Sequence, residues 1–378
     1  MAPKFPASEF EGRLRRLQSA MAEQGLKLCL IHTPENICYL TGHETPGYYV
    51  YQCLIVPVEG APVLVLRETE VANAEQFTYL DRLVGFKDSE DPVTRTVEAV
   101  RQFGLAGDSV GIEERSWFNP PYNYRRLLEG LGSRRVQAVD SLVAGLRLIK
   151  SPLEIETIRQ AARITNAAMA AAVAACRPGV RERDVAAEAM ATLLREGSEY
   201  LGMEPFVASG PRSSVIHASW SDRVIEPGEP VLIEMAASFK RYHAALMYTT
   251  ITGRLSGQLE RVVEVCREAL AATLEVVRPG NTPAQCHRTC CDVIERGGLL
   301  DYYRKRTGYS IGIAFAPDWG EGHILSLGHG EERPLEPGMV LHVVPAIRVP
   351  GAGGAGYSAT VLVTETGHEV LTSYNPGA

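Results

Sequence analysis

The chain has 378 residues, of which 45% are hydrophobic and 22% charged, and its formal net charge is −7. That length is enough for two domains with a core each, and the composition is that of a folded globular protein rather than a disordered one. Basic residues cluster no more densely than the pairs Arg15-Arg16 and Arg134-Arg135, and no apolar run nears the ~20 residues that span a bilayer, so neither nucleic acid nor membrane is an expected partner.

The first residues, Met1-Ala2-Pro3-Lys4-Phe5-Pro6, lack an uninterrupted signal-peptide core, and a cytoplasmic location is expected. The amphipathic pattern predicts a helix over 10–24, followed by strands over 26–31, 49–56, 62–66, 109–112 and 135–139. These alternations describe an α/β N-terminal domain, taken here as residues 1–146. The eight cysteines are scattered, mostly in apolar segments (Cys29, Cys38, Cys176, Cys266). Cys286, Cys290 and Cys291 form the one cluster, without a CxxC pair, and read as buried thiols rather than a metal or redox site.

Ser151-Pro152-Leu153-Glu154 offers a capping box with proline at the first helical position, so a long helix opens a second domain, residues 147–378. Arg177-Pro178-Gly179 and Arg278-Pro279-Gly280 each precede a further helix, an echo that suits a duplicated half-domain. Strand patterns follow in both halves, at 230–236 and 242–252, then at 339–348 and 359–364. Two helix-then-strand halves facing each other make an α+β domain, a curved antiparallel sheet with helices outside and a cleft between the halves.

Leu148 to Glu156, Ala208-Ser209-Gly210-Pro211 with His217, and Gly338-Met339-Val340-Leu341 together resemble the creatinase/prolidase/methionine-aminopeptidase superfamily over nearly the whole chain. The resemblance implies a "pita-bread" C-terminal domain behind a creatinase-type N-terminal domain. Peptidases of that family hold two metal ions through two Asp, a His in a Gly-rich turn and two Glu. Carried over position by position, Glu234 and Ala245 stand at the Asp positions, Tyr309 at the His, and Val344 and Ser358 at the Glu positions. No Asp or Glu occurs between Glu234 and Glu260 or between Glu336 and Glu365, so a small register error would not restore the set. One carboxylate cannot hold two divalent cations, and no metal or cofactor is expected.

Side-chain chemistry is then expected to do the work. Glu234 lies in the apolar run Val231 to Ala236, where a carboxyl group has a raised pKa and suits a general base or nucleophile; a solvent-facing strand residue is the competing reading. His217 matches the family's active-site histidine and is the expected proton donor, against a purely structural imidazole. Tyr309 can donate its phenol to a substrate oxygen or simply fill the vacated metal volume. His342 lies two residues from Val344 on one strand face, as catalyst or as core. Of Tyr242 and His243, adjacent on a strand, only one can face the cleft. Trp319, in Asp318-Trp319-Gly320-Glu321, is expected in a pocket wall for a small cation or in a surface loop, and Tyr357 is a further expected substrate contact. The family's dimers imply a homodimer in which the loop around Tyr48 reaches the partner's site.

Metal-free relatives, creatinase and ectoine-hydrolase-like members, break C–N bonds whose carbon is already electrophilic. The expected function is therefore metal-independent hydrolysis of a C–N bond in a small amidine, guanidine or amide. The paired carboxylates of creatinase fall at Met247 and Tyr357, so creatine itself is not the expected substrate. Gly308-Tyr309-Ser310-Ile311-Gly312, the Asp-Trp-Gly-Glu loop and His342 are nearer to the ectoine-hydrolase-like pattern. The alternatives are a metal-free lyase, isomerase or cyclase using the same residues, a non-catalytic small-molecule-binding protein and, last, a Xaa-Pro peptidase.

Overall fold

The computed structural model describes residues 4–104, 109–132, 135–255 and 257–375. Met1 to Pro3, the first residues of the signal-peptide argument, and Arg134 of the second arginine pair lie outside the described residues. The chain divides into two compact units, Met1–Arg147 and Leu148–Ala378. Among the described residues no helix is long and apolar enough to cross a membrane.

The first unit is built on six strands: β1 (Leu28–Ile31), β2 (Cys53–Pro57), β3 (Val63–Arg67), β4 (Leu83–Phe86), β5 (Ser109–Ile112) and β6 (Arg135–Ala138). They are ordered β4-β3-β2-β1-β5-β6, antiparallel across β1–β2 and β2–β3 and parallel elsewhere. The central strands read Leu-Cys-Leu-Ile and Cys-Leu-Ile-Val-Pro and are buried throughout, as a sheet covered on both faces requires. Helices α1 (Ala7–Glu23), α2 (Pro34–Thr41), α3 (Val71–Phe77), α4 (Pro92–Arg101), α5 (Pro121–Leu131) and α6 (Asp140–Leu148) complete it. The strand expected over 49–56 starts only at Cys53, because the Val50 N–H is spent on a turn bond to the Gly47 carbonyl, 2.9 Å away. No strand is expected at the short, glycine-containing Leu83–Phe86; β4 forms there by parallel pairing with β3.

In the second unit the capping box closes as its residues demand. Ser151 Oγ accepts from the Glu154 N–H (3.3 Å), and the Glu154 carboxylate accepts from the Ser151 N–H (2.9 Å), starting α7 (Pro152–Ala175). The internal echo is also structural. Helix α7 runs through Arg177-Pro178-Gly179 into α8 (Glu182–Arg195), and α9 (Gln258–Val276) runs through Arg278-Pro279-Gly280 into α10 (Pro283–Arg296). Gly179 and Gly280 have φ of 90° and 85°, a region closed to most side chains, and each donates its N–H to a backbone carbonyl at 2.9 Å, of Ile225 and Leu335 respectively.

The first half supplies β7 (Phe206–Ser209), β8 (Pro230–Phe239) and β9 (Tyr242–Ile251). The second supplies β10 (Gly308–Ser310), β11 (Ser326–Leu327), β12 (Val340–Val343), β13 (Ala346–Val349), β14 (Gly353–Gly356), β15 (Ala359–Val363) and β16 (His368–Val370). All their pairings are antiparallel. The strand expected over 339–348 breaks into β12 and β13 at Pro345, which has no N–H to give a ladder. The halves meet where β9 passes the second sheet: Ala245 N–H donates to Thr360 Oγ1 (3.0 Å) and Ser358 N–H to the Met247 carbonyl (3.0 Å). The result is the curved sheet of a pita-bread domain.

The β8–β9 hairpin turns on Lys240 and Arg241, with φ of 52° and 67°, a two-residue turn that normally calls for glycine or asparagine. Arg241 compensates the strain. Its buried guanidinium lies between Tyr200 (3.8 Å) and Phe315 (4.8 Å) and donates to the carbonyls of Tyr200 and Ala314.

Alternation along β8 separates two environments. Ile233, Met235 and Ala237 pack with Leu246 against α7 and α8, whereas Leu232 faces a small apolar group of Met247, Val344, Ala346 and Tyr309. Glu234 shares the Leu232 face. Ser151→Ala should remove the α7 cap and cost about 1 kcal/mol. The urea midpoint of the second unit's transition should fall accordingly, and Ser151→Thr should restore most of it.

Candidate active site

Glu234 sits at the middle of β8, directly opposite Phe206 on β7 and Met247 on β9. Its side chain is buried, and among the described residues no donor is hydrogen-bonded to the carboxylate. Burial raises its pKa above the ordinary carboxylate range; the cations Lys305 and Arg348 pull it back down in part, and Asp318 adds to the rise. A carboxyl group so placed is a stronger base than one in water, because it lacks the donors that would stabilise its charge.

Facing it from the second half is a connected set of polar groups. Tyr309 and His342 pair across β10 and β12, with rings edge-to-face at 5.3 Å. The Tyr309 hydroxyl lies 3.1 Å from His342 Nδ1 and accepts from Trp319 Nε1 at 2.9 Å. His342 Nε2 lies 2.8 Å from Ser358 Oγ, which accepts the Met247 N–H at 2.6 Å. Burial pushes the Tyr309 phenol well up and lowers His342 to about 3, with Lys305 and Arg306 adding to the lowering, so both are neutral near pH 7. Gly320 makes room for the tyrosine, since a Cβ there would come within 2.6 Å of its ring.

His217 stands apart from this set, exposed on the loop after β7, with φ at 55°. Its ring stacks on Phe206 at 5.7 Å, and Phe206 in turn meets the Trp319 ring edge at 5.7 Å. Phe206 therefore lies between the imidazole, Glu234 and the tyrosine's support. The loop is held from α8 by buried Glu182, which accepts from Ser209 N–H (2.7 Å), Ser209 Oγ (2.8 Å), Ser221 Oγ (2.6 Å) and Arg212.

Other expected site residues are committed elsewhere. Tyr242 is buried and donates its hydroxyl to Glu154 Oε1 (2.9 Å). His243 is fully buried, with Nδ1 donating to the Arg241 carbonyl (3.1 Å) and Nε2 accepting the Gly202 N–H (3.2 Å), and burial holds its pKa well below the usual range. Both are engaged by the protein itself, which corrects the expectation that one of them lines the cleft. Tyr357 is likewise corrected. Its hydroxyl donates to the Thr249 carbonyl (2.9 Å) and its ring packs beneath α9 and α10, leaving its neighbour Ser358 on the opposite side, toward His342.

Trp319 is a buried wall residue and holds Tyr309, so the surface-loop reading of it fails. Its loop is anchored by the buried pair Lys150 and Glu321 (2.7 Å). Tyr48 belongs to the first unit, its ring edge-on to Phe118 at 5.5 Å. Lys305 and Arg348 were not anticipated from sequence. Lys305 lies in the basic run Arg304-Lys305-Arg306, which has no feature separating it from a solvated loop.

The family's metal ligands can be tested against these positions. Among the described residues no three of His, Cys, Asp and Glu come together as a metal site. At the Ala245 position Thr360 Oγ1 bonds both the N–H (3.0 Å) and the carbonyl (2.8 Å) of Ala245, and Tyr309 and Ser358 are bonded to His342. Neutral groups committed to one another, with a single carboxylate, do not fit two divalent cations.

Comparison with known proteins agrees with the fold. Residues 156–365 match metallopeptidase family M24, and residues 13–149 match the creatinase/prolidase N-terminal domain. Ectoine hydrolase of Halomonas elongata is 29% identical over 98% of this chain and 96% of its own. An uncharacterised hydrolase/peptidase of Sinorhizobium fredii is 31% identical over 97% of this chain and 95% of its own. The crystal structure of dipeptidase PepE from Mycobacterium ulcerans superposes with a TM-score of 0.85 at 25% identity, covering 98% of this chain and 97% of that one.

The lowered pKa of His342 has a consequence for stability. The unfolded imidazole titrates at 6.5 and the folded one at about 3, so its contribution is complete above pH 6.5 and is lost as pH falls toward 3. Urea midpoints should drop between pH 7 and 4.5, by up to about 1.4 kcal/mol per pH unit for one such group. His342→Gln should flatten that slope; an unchanged slope would place the proton uptake elsewhere.

Proposed function

This chain belongs to metallopeptidase family M24, a family of hydrolases, and on that premise we propose that it hydrolyses a C–N bond in a small amidine, guanidine or amide without a metal ion. The observation that carries the reading is Glu234, a buried carboxylate with no hydrogen-bond donor among the described residues, set opposite a neutral phenol–imidazole pair. An amidine or amide carbon is electrophilic enough to be attacked once its heteroatom is hydrogen-bonded.

In this reading Glu234 acts as base or nucleophile. As base it takes a proton from water, whose oxygen bonds to the substrate carbon. As nucleophile its own oxygen forms that bond, and water cleaves the resulting anhydride or acyl imidate once the nitrogen has left. Tyr309, held by Trp319 and His342, donates a hydrogen bond to the heteroatom that gains negative charge. The C–N bond then breaks, and His217, across Phe206, gives its proton to the departing nitrogen. The same reading keeps a homodimer in which the loop around Tyr48 reaches the partner's cleft.

Likeness to ectoine hydrolase over nearly the full length supports a small non-peptide substrate. Likeness to dipeptidase PepE favours a second reading, peptide hydrolysis, against which the donor set argues. Purified protein supplied with Mn²⁺ or Co²⁺ should gain no Xaa-Pro dipeptide cleavage; metal-dependent cleavage with stoichiometric binding would establish that second reading instead.

A screen of cyclic amidines, guanidines and acylated amino acids by mass change should find a substrate. Glu234→Gln should then reduce turnover by at least ~10³-fold, and Tyr309→Phe by about 10²-fold. Over many turnovers in ¹⁸O-labelled water the product should carry the label; a product without it would mean elimination or cyclisation. Label appearing in Glu234 itself after one turnover would assign the nucleophilic route. Activity should rise as Glu234 ionises, with an acid limb above the ordinary carboxylate range.

A further inference from the structure

We infer that Lys305 and Arg348 form an anion subsite beside Glu234, and that the substrate carries a carboxylate which this subsite holds. The inference rests on the hydrolase reading above and narrows its substrate class.

Lys305 reaches in from the segment before β10, and its ammonium donates to the Val344 carbonyl at 2.9 Å. Arg348, on β13, donates through Nη1 to the carbonyls of Ser213 (2.7 Å) and Val215 (3.3 Å), while its Nε–H is buried with no acceptor among the described residues. An orphaned buried donor costs about 1–3 kcal/mol, and the Nε edge of a guanidinium is one that a carboxylate grips side-on.

Both cations feel Glu234 electrostatically, yet among the described residues neither comes within the 4.0 Å of an ion pair with it or with any other carboxylate. Alternation along β13 puts Arg348 on the side of Ala346, which packs with Leu232 on the face of β8 that carries Glu234. The charge around these groups is unbalanced. Glu234 and Asp318 are negative, whereas Lys305, Arg348 and Arg306, whose guanidinium lies 4.6 Å from the Tyr309 ring centre, are positive. Asp318 is already stabilised by the N–H groups of Trp319 (2.7 Å) and Gly320 (2.9 Å).

The excess is one positive charge, in a site where burial lowers Lys305 to about 8 and lowers Arg348 from its usual range. A bound carboxylate would offset the burial that lowers Lys305 and give the Arg348 Nε–H its acceptor. Anchored there, such a substrate would present a scissile carbon a few bonds away to Glu234, and a neutral analogue would lose its principal attraction.

The test uses full-length protein, acetate as the anionic probe and acetamide as its neutral counterpart, titrated by NMR. Acetate should saturate a single site, with acetamide at least tenfold weaker. Lys305→Met and Arg348→Met should each weaken acetate at least tenfold, and Lys305→Arg should retain it. Should Lys305→Met fail to fold, the comparison of Lys305→Arg with Arg348→Met carries the test. Equal binding of the two probes, or acetate affinity indifferent to both residues, overturns the subsite. Glu234→Gln separates the two ideas. If it leaves turnover intact while acetate binding still depends on Lys305, the Glu234-based hydrolysis proposed above fails and the subsite stands; if it abolishes turnover while acetate binding ignores Lys305, only the subsite fails.

Discussion

A carboxylate in the middle of an apolar strand, with no donor to share its charge, is the constraint around which the second unit is organised. Leaving such a group unpaired costs several kcal/mol, and proteins ordinarily relieve that by hydrogen bonds or by a salt bridge. Among the described residues Glu234 has neither. The relief comes from cations set at a distance, Lys305 and Arg348, which lower the penalty without occupying the carboxylate's oxygens. The carboxylate oxygens are therefore left without a hydrogen bond among the described residues, at the expense of some stability.

Keeping that arrangement open requires stiff surroundings, since a soft cleft would collapse onto the charge. The surrounding side chains supply the stiffness through buried, hydrogen-bonded polar groups. Glu182 ties down the His217 loop, Lys150 and Glu321 tie down the Asp-Trp-Gly-Glu loop, and Arg241 pins the β8–β9 turn between two aromatic rings. Each fixes the backbone that carries a residue of the candidate site. Trp319 acts in the same way, spending its one N–H on the Tyr309 oxygen and so setting the direction of the phenol.

Features governed by short-range rules were legible in the sequence. The Ser151 capping box, the two Arg-Pro-Gly turns and the apolar run around Glu234 each encode their structure within a few residues, and the fold followed from them. Strand phase was less legible. Tyr242, His243, Tyr357 and Ser358 differ in facing direction only by parity, and a tyrosine is as good a core residue as a cleft residue, so Tyr357 looked like a substrate contact when Ser358 is the one that reaches His342. Lys305 and Arg348 were invisible for another reason. Their meaning depends on proximity to Glu234 across the sheet, and nothing in Arg304-Lys305-Arg306 or Ile347-Arg348-Val349 distinguishes a buried cation from a solvated one.

The matching glycine turns at Gly179 and Gly280, each closed by the same kind of backbone bond, mark the two halves as copies of one unit. The residues of the candidate site, however, are divided between them. Glu234 and His217 come from the first copy, and Tyr309, His342, Ser358, Lys305 and Arg348 from the second. An ancestor consisting of a single copy would have owned an incomplete toolkit, and could have assembled a cleft only by associating with its twin. Joined in one chain, the two halves hold that association permanently and need not match, one bringing the carboxylate and the other most of the donors.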